Sequence, residues 1–257
     1  MNLYSSSSHL ALKASAVPPH DISFSAGVWG VDVSKYQLGM NFKAAYDENA
    51  RFAIIRCSAN NRYYDPVFAE HYDNAMNAGL LVLAYHYVGP QYKAVDQIFT
   101  ITNAIGTRQI AGLMLDFEVT NGQDRQVCTD IMWALAKNFK DIGTKKANLI
   151  YSTGAFWNAN VNRSTHWKEL AGSAVAHWGI PPSKIITMAD WPTWDVWQAG
   201  QVTKRFGFKG DVDFCVWRES SFPGNVPPPP PPPPEVYVDL TGKSSEGDNF
   251  SGRIVKV

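Results

Sequence analysis

The chain has 257 residues, 45% hydrophobic and 13% aromatic, enough to bury one large core or two small ones. Lys+Arg and Asp+Glu both number 23, so the net charge is zero and nothing draws the chain electrostatically to nucleic acid or to anionic lipid. Three widely spaced cysteines, Cys57, Cys128 and Cys215, make no metal-binding pattern, and no apolar run approaches the roughly 20 residues of a membrane helix. No metal, no cofactor and no membrane insertion are therefore expected.

Residues 1–26 are Ser-rich, contain Pro18-Pro19 and read as an extended arm. They lack the basic start and continuous apolar stretch of a signal peptide, which predicts synthesis and folding in the cytoplasm. A regular alternation follows. Val28–Val33 and Phe52–Ser58 read as strands, and Asp65–Ala78 as a helix with Phe68, Tyr72, Ala75 and Met76 on one face, closed by Gly79. Leu80–Val88 is the third strand. Tyr92–Ile105 carries Val95, Ile98, Phe99 and Ile105 at helical spacing, and Ile110–Val119 is the fourth strand. Gln123–Ile142 is the clearest helix, with a stripe of Val127, Ile131, Leu135, Phe139 and Ile142 ahead of Gly143. Ala147–Ser152 is the fifth strand and Gly154–Asn158 a short helix. Ala174–Trp178, Val196–Gln198 and Val212–Trp217 are short strands with no good helices between them.

Strands alternating with helices predict a parallel sheet with right-handed crossovers, and eight strands within residues 27–225 fit a closed barrel better than an open sheet. No glycine-rich phosphate loop appears, so a nucleotide site is not expected. Pro227–Pro234 is eight consecutive prolines, a polyproline rod that ends the domain; residues 226–234 read as a linker. Residues 235–257 hold two strand-like pieces, Val236–Leu240 and Arg253–Val257, and read as a tail that pairs with another surface.

Chemistry concentrates at the strand ends. Leu113-Met114-Leu115-Asp116-Phe117-Glu118 finishes an apolar run in two carboxylates, which in an extended chain share one face about 7 Å apart at the backbone. Two such acids compete for protons, and burial favours a proton on the more desolvated one. That division into acid and anion is what glycoside hydrolysis needs. Asp32 after the first strand, Tyr85-His86-Tyr87 on the third, Tyr151-Ser152 on the fifth, His177-Trp178 and Trp197-Gln198 on the next two, and Asp213 on the last would meet around one mouth. Each has a plainer alternative, such as a turn cap for Asp32, an ion-pair partner for Asp213 and a satisfied barrel residue for His86. Any one of the nine Trp could equally line a sugar site or fill the core.

Gly30-Val31-Asp32-Val33-Ser34-Lys35-Tyr36-Gln37, Phe52-Ala53-Ile54-Ile55-Arg56, Ala84-Tyr85-His86-Tyr87, Leu115-Asp116-Phe117-Glu118, Ile150-Tyr151-Ser152, Ala176-His177-Trp178-Gly179, Val196-Trp197-Gln198 and Val212-Asp213 together resemble the glycoside hydrolase family 25 lysozymes, the N-acetylmuramidases. The resemblance runs in order from residue 27 to about 217. It implies an α/β fold, an irregular TIM-like barrel of five β/α units plus three strands, here with an N-terminal arm and a proline-linked tail. It implies cleavage, with retention, of the β-1,4 bond after N-acetylmuramic acid in bacterial peptidoglycan. Glu118 falls on the general acid and Asp116 on its partner, either nucleophile or support for the substrate's acetamido group. Asp32 and Asp213 fall on the two further acids, and Tyr85, Tyr87, Tyr151, Trp178 and Gln198 on the substrate-binding wall. Wall-binding repeats common among relatives are not visible here. The tail suggests a bacteriophage lytic protein, made in the host cytoplasm and acting on the cell wall, either free or mounted on a virion or tail protein through residues 235–257. Two other readings remain: a glycan-binding or structural virion component on the same barrel, and a chitinase-like hydrolase, whose longer acidic signature is missing at Gly112, Met114 and Leu115.

Overall fold

A computed structural model describes residues 27–140, 143 and 147–223, together with the backbone of residues 237–243 and 249–255. The expected arm and the proline run lie outside the described residues. Eight strands form the closed sheet: β1 (Gly27–Val33), β2 (Phe52–Ala59), β4 (Leu81–Tyr87), β5 (Gly112–Asp116), β6 (Leu149–Ser152), β7 (Gly172–Ala176), β8 (Val196–Thr203) and β9 (Asp211–Arg218). A two-residue strand, β3 (Tyr63–Tyr64), pairs with the end of β2. Parallel pairing of β1 with β2 closes the ring.

Helices α1 (Phe42–Asp47), α2 (Phe68–Asn77), α3 (Ala94–Ile105), α4 (Arg125–Phe139), and the pair α5 (Gly154–Asn160) and α6 (Trp167–Leu170) occupy successive crossovers. The β7–β8 connection holds only a 3-10 turn at Pro182–Lys184. The sheet is not wholly parallel as expected: β9 runs antiparallel to both β8 and β1. Only seven residues, 204–210, join β8 to β9, too short for the crossover that a parallel strand demands.

Alternation along each strand sorts side chains into two layers. Val31, Val33, Ile55, Ala84, Leu113, Leu115 and Ile150 face the helices, whereas Phe52, Ile54, Leu83, Met114, Leu149, Val196, Cys215 and Trp217 fill the interior. The floor is aromatic, with Phe52 and Trp217 edge to face at 5.4 Å. A Cβ at Gly30 would lie 2.3 Å from the Phe52 carbonyl oxygen, so glycine there lets two strands and a large ring share the floor. Of the nine Trp, Trp178 alone is exposed, and Trp157, Trp167, Trp197 and Trp217 are fully buried, so the tryptophan surplus is mainly core.

Two helix faces differ from the periodic reading. In α3 the buried residues are Gln97, Thr100, Ile101 and Ile105, while Val95 and Phe99 are exposed. Polar side chains take the inward face because each finds fixed partners: Gln97 bonds Gly89, Tyr92 and His86, and Thr100 Oγ1 donates to the Asn61 carbonyl. In α4 the stripe is turned by one residue, with Cys128, Met132, Leu135, Ala136 and Phe139 buried and Val127 and Ile131 only half-buried. Ile142 lies outside the described residues. Gly79, at φ +85°, closes α2 as expected, its N–H donating to Met76. The two tail pieces extend over β10 (Tyr237–Lys243) and β11 (Asn249–Val255), and they pair with each other as an antiparallel hairpin.

Candidate active site

β5 is shorter than expected, ending at Asp116, with Glu118 just beyond it. The ladder nevertheless continues one step, since the Phe117 N–H donates to Tyr151 and its carbonyl accepts from Ser152 Oγ. Phe117 is wholly buried on the helix side, edge to face with Phe156 and Trp157. With Phe117 anchored outward, Asp116 and Glu118 are turned to the interior, and the negative charge of Glu118 is the strongest electrostatic influence on Asp116.

Asp32 sits directly across from Asp213 in the β1–β9 pairing. Gln198 from β8 joins them. Its side-chain amide donates to Asp32 Oδ2 at 3.3 Å and Asp213 Oδ2 at 3.4 Å. Its amide oxygen accepts from Tyr151 Oη at 2.8 Å and Trp178 Nε1 at 3.0 Å. Carboxylates only accept, and the indole N–H only donates, so these partners dictate which way the amide points. Gln201 Nε2 adds a 2.8 Å bond to the other oxygen of Asp213.

Burial pushes Asp32 well above the usual carboxylate range, reinforced by the charges of Asp213 and Glu118 and opposed by the Gln198 bond and Arg56. Asp116 is raised in the same way, by burial first, then by Glu118, Asp32 and Asp213, with Arg56 opposing. Burial also raises Tyr85, Tyr87 and Tyr151, and the acids of the mouth add to each. The nine residues singled out from the sequence are thus linked in one set, Tyr151 and Trp178 through Gln198 to Asp32 and Asp213, and the three tyrosines through the charges of the acids. Acids beyond them hold structural bonds instead. Asp190 accepts from Trp157 Nε1 and Ser164 N–H, and Asp195 from Ser173 N–H and Arg218. His86 is satisfied by Ser58 and Gln97 on the helix side, and burial lowers it to about 4.

Sequence reasoning missed Arg56. It occupies the inward position after Ile54 and faces the mouth, where it is the cation opposing the raised pKa of both Asp32 and Asp116. Asp65 clamps it, with Arg56 Nε to Asp65 Oδ2 at 2.7 Å. A lone charge two residues beyond a core isoleucine in an otherwise apolar strand was the available signal.

Four carboxylates, Asp32 and Asp116 buried and Glu118 and Asp213 half-buried, beside three tyrosines suit a ligand that develops positive charge and stacks on aromatic faces. The sequence profile of the glycosyl hydrolases family 25 matches residues 31–206. Lysozyme M1 of Streptomyces globisporus is 28% identical over 210 residues, spanning 77% of this chain and 69% of that protein. An N,O-diacetylmuramidase of Arthroderma benhamiae is 28% identical over 216 residues, covering 78% and 90% of the two chains. The crystal structure of a bacterial lysozyme from Streptomyces coelicolor superposes with a TM-score of 0.68 at 26% identity, covering 75% of this chain and 93% of that one. The barrel, the mouth and these likenesses agree, and the chain belongs to the glycosyl hydrolases family 25 and is a glycoside hydrolase.

Proposed function

We infer that this hydrolase is a lysozyme cutting peptidoglycan at the β-1,4 bond between N-acetylmuramic acid and N-acetylglucosamine. The observation that carries the reading is the convergence of four carboxylates, with Gln198 spanning Asp32 and Asp213 beside the Asp116–Glu118 pair. The muramidase and lysozyme names of its relatives support the choice of substrate.

Glycoside cleavage needs one acid to protonate the leaving oxygen and anionic charge beneath an oxocarbenium-like transition state. Glu118, which falls on the family's general acid by resemblance, takes that role here, half-buried beside the more deeply buried Asp116. Asp116, buried at the strand end, acts as nucleophile or holds the substrate's acetamido group. Burial holds Asp32 and Asp116 toward the neutral form, and developing positive charge on the sugar draws them toward the carboxylate form. Asp32 and Asp213 hold that charge, and Tyr85, Tyr87, Tyr151 and Trp178 form the sugar-facing wall. Purified peptidoglycan digested by the protein should yield reducing-end muramic acid on mass analysis; reducing-end glucosamine would redirect the assignment to another bond. Glu118→Gln should slow release by about 10²–10⁴-fold, the usual contribution of a general acid, and equal rates would remove Glu118 from that role.

The setting we assign is a bacteriophage lytic one, with residues 235–257 docking to a virion or tail protein. Eight prolines make a stiff spacer, and a two-stranded hairpin alone is marginal in water, so the β10–β11 unit gains from a partner surface. The full chain should co-purify with virions and a chain ending at residue 225 should not; identical behaviour would refute the docking role.

A further inference from the structure

The mouth is acidic, yet one stretch of its rim is the reverse. Where the turn after β1 meets β2 and β3, two cations flank the same pair of rings. Lys35 Nζ lies 5.2 Å from the Tyr36 centroid and 5.4 Å from that of Tyr63. The Arg56 guanidinium carbon lies 5.5 and 5.6 Å from the same two rings. Tyr36 is 69% exposed, so the cluster opens to solvent on that side.

The donors here exceed the acceptors. Arg56 Nη2 and Tyr63 Oη are buried with no hydrogen-bond partner, and Lys35 Nζ makes no ion pair among the described residues. Asp65 is the cluster's own acid, and its oxygens are committed. Oδ2 accepts from Arg56 Nε and from the Lys35 N–H at 3.1 Å, while Oδ1 accepts from the Val67 N–H at 3.2 Å. It fixes Arg56 in place and leaves Nη2 unanswered. Buried donors without partners are rare in native proteins and call for a specific explanation. A carboxylate supplies what is missing, since it accepts through both oxygens and forms charge-assisted bonds with either cation.

We propose that Lys35, seated on the Tyr36 and Tyr63 rings with the Arg56 charge behind it, forms a carboxylate-binding site on the rim that selects glycans bearing an acidic substituent. The acids of the mouth favour positive over negative charge, so a sugar lies over them with its carboxylate directed elsewhere, and this rim receives it. Two sources share that chemistry on the proposed substrate: the free lactyl carboxylate of muramic acid, and the acids of an attached peptide stem. The proposal rests on the peptidoglycan reading, but its test requires no turnover.

Calorimetric titration of full-length Glu118→Gln protein would use three glycans: peptide-free chains with free lactyl carboxylates, the same chains amidated, and stem-bearing chains. A carboxylated glycan should bind about tenfold or more tightly than its amidated form, the effect of a charge-assisted hydrogen bond. Adding Lys35→Met should bring those affinities within about twofold, and Lys35→Arg should restore the gap, as expected of a charge contact rather than a packing one. Preference already present in peptide-free chains identifies the lactyl group; preference confined to stem-bearing chains identifies the peptide. A preference absent from both, or one that survives Lys35→Met, overturns the site while leaving hydrolysis intact. Failure to bind any of the three glycans overturns both the site and the proposed substrate.

Discussion

Replacing Asp116 with Asn should abolish glycan cleavage and make the protein more stable at neutral pH. Asp116 is buried, and its Oδ1 has no hydrogen-bond partner among the described residues. Asparagine keeps that oxygen but sheds the charge, and relief of a buried, incompletely satisfied charge is worth on the order of 1–3 kcal/mol. For a domain of this size each kcal/mol moves the melting temperature by about 2–4 °C, so the variant should melt roughly 2–12 °C higher. The pH dependence has a defined sign. Burial and the neighbouring acids raise Asp116 above its usual 3.8, so the folded protein retains a proton that the unfolded chain releases. Wild-type stability therefore declines as pH climbs from about 3.8 through the folded value, and below about 3.8 the two proteins converge. Thermal unfolding by circular dichroism from about pH 3 to 8 measures the gap. A variant that melts lower than wild type at neutral pH, or a gap that persists unchanged into acid, would refute this account of the mouth.

Gln198→Leu removes the amide that satisfies Tyr151 Oη, Asp32 and Asp213 together. Its expected cost is about 1–3 kcal/mol in denaturant unfolding, and a similar loss expressed in the barrier would slow cleavage by about 10–100-fold. Wild-type rates in this variant would show that the amide bridge is incidental. His86→Gln tests the opposite linkage: burial lowers this imidazole from 6.5 to about 4, so the folded state keeps it neutral. The stability this confers is lost as pH falls from about 6.5 to about 4, by about 3 kcal/mol in all. The Gln variant should lack that slope in unfolding measured across the same window, and an unchanged slope would remove His86 as its source.

The strand sequence of the barrel was legible because apolar runs such as Phe52–Ser58 and Leu80–Val88 are bounded by turn residues. Helix faces were less so. Periodicity weighs Phe99 and Val95 as core and Gln97 and Thr100 as surface, and only the carbonyls of Gly89, Tyr92 and Asn61 reverse that order. The direction of β9 was hidden because a short strand reads alike in both directions; the brevity of residues 204–210 was the clue. The acids were legible one strand end at a time, with family resemblance tying them together. The hub at Gln198 was not, since its partners come from residues 32, 151, 178 and 213, and no local pattern joins an amide to all four.

The reversal of β9 also decides where the polypeptide departs. A final strand aligned with its neighbours would release the chain beside the carboxylates, where anything attached would crowd incoming glycan. Instead β9 begins at the mouth with Asp211–Asp213 and descends to Arg218, after which Phe222 tucks against Phe52 and Trp217 beneath the barrel. At residue 223 the chain therefore leaves the barrel on the side opposite the carboxylates, and its own exit does not narrow the catalytic opening.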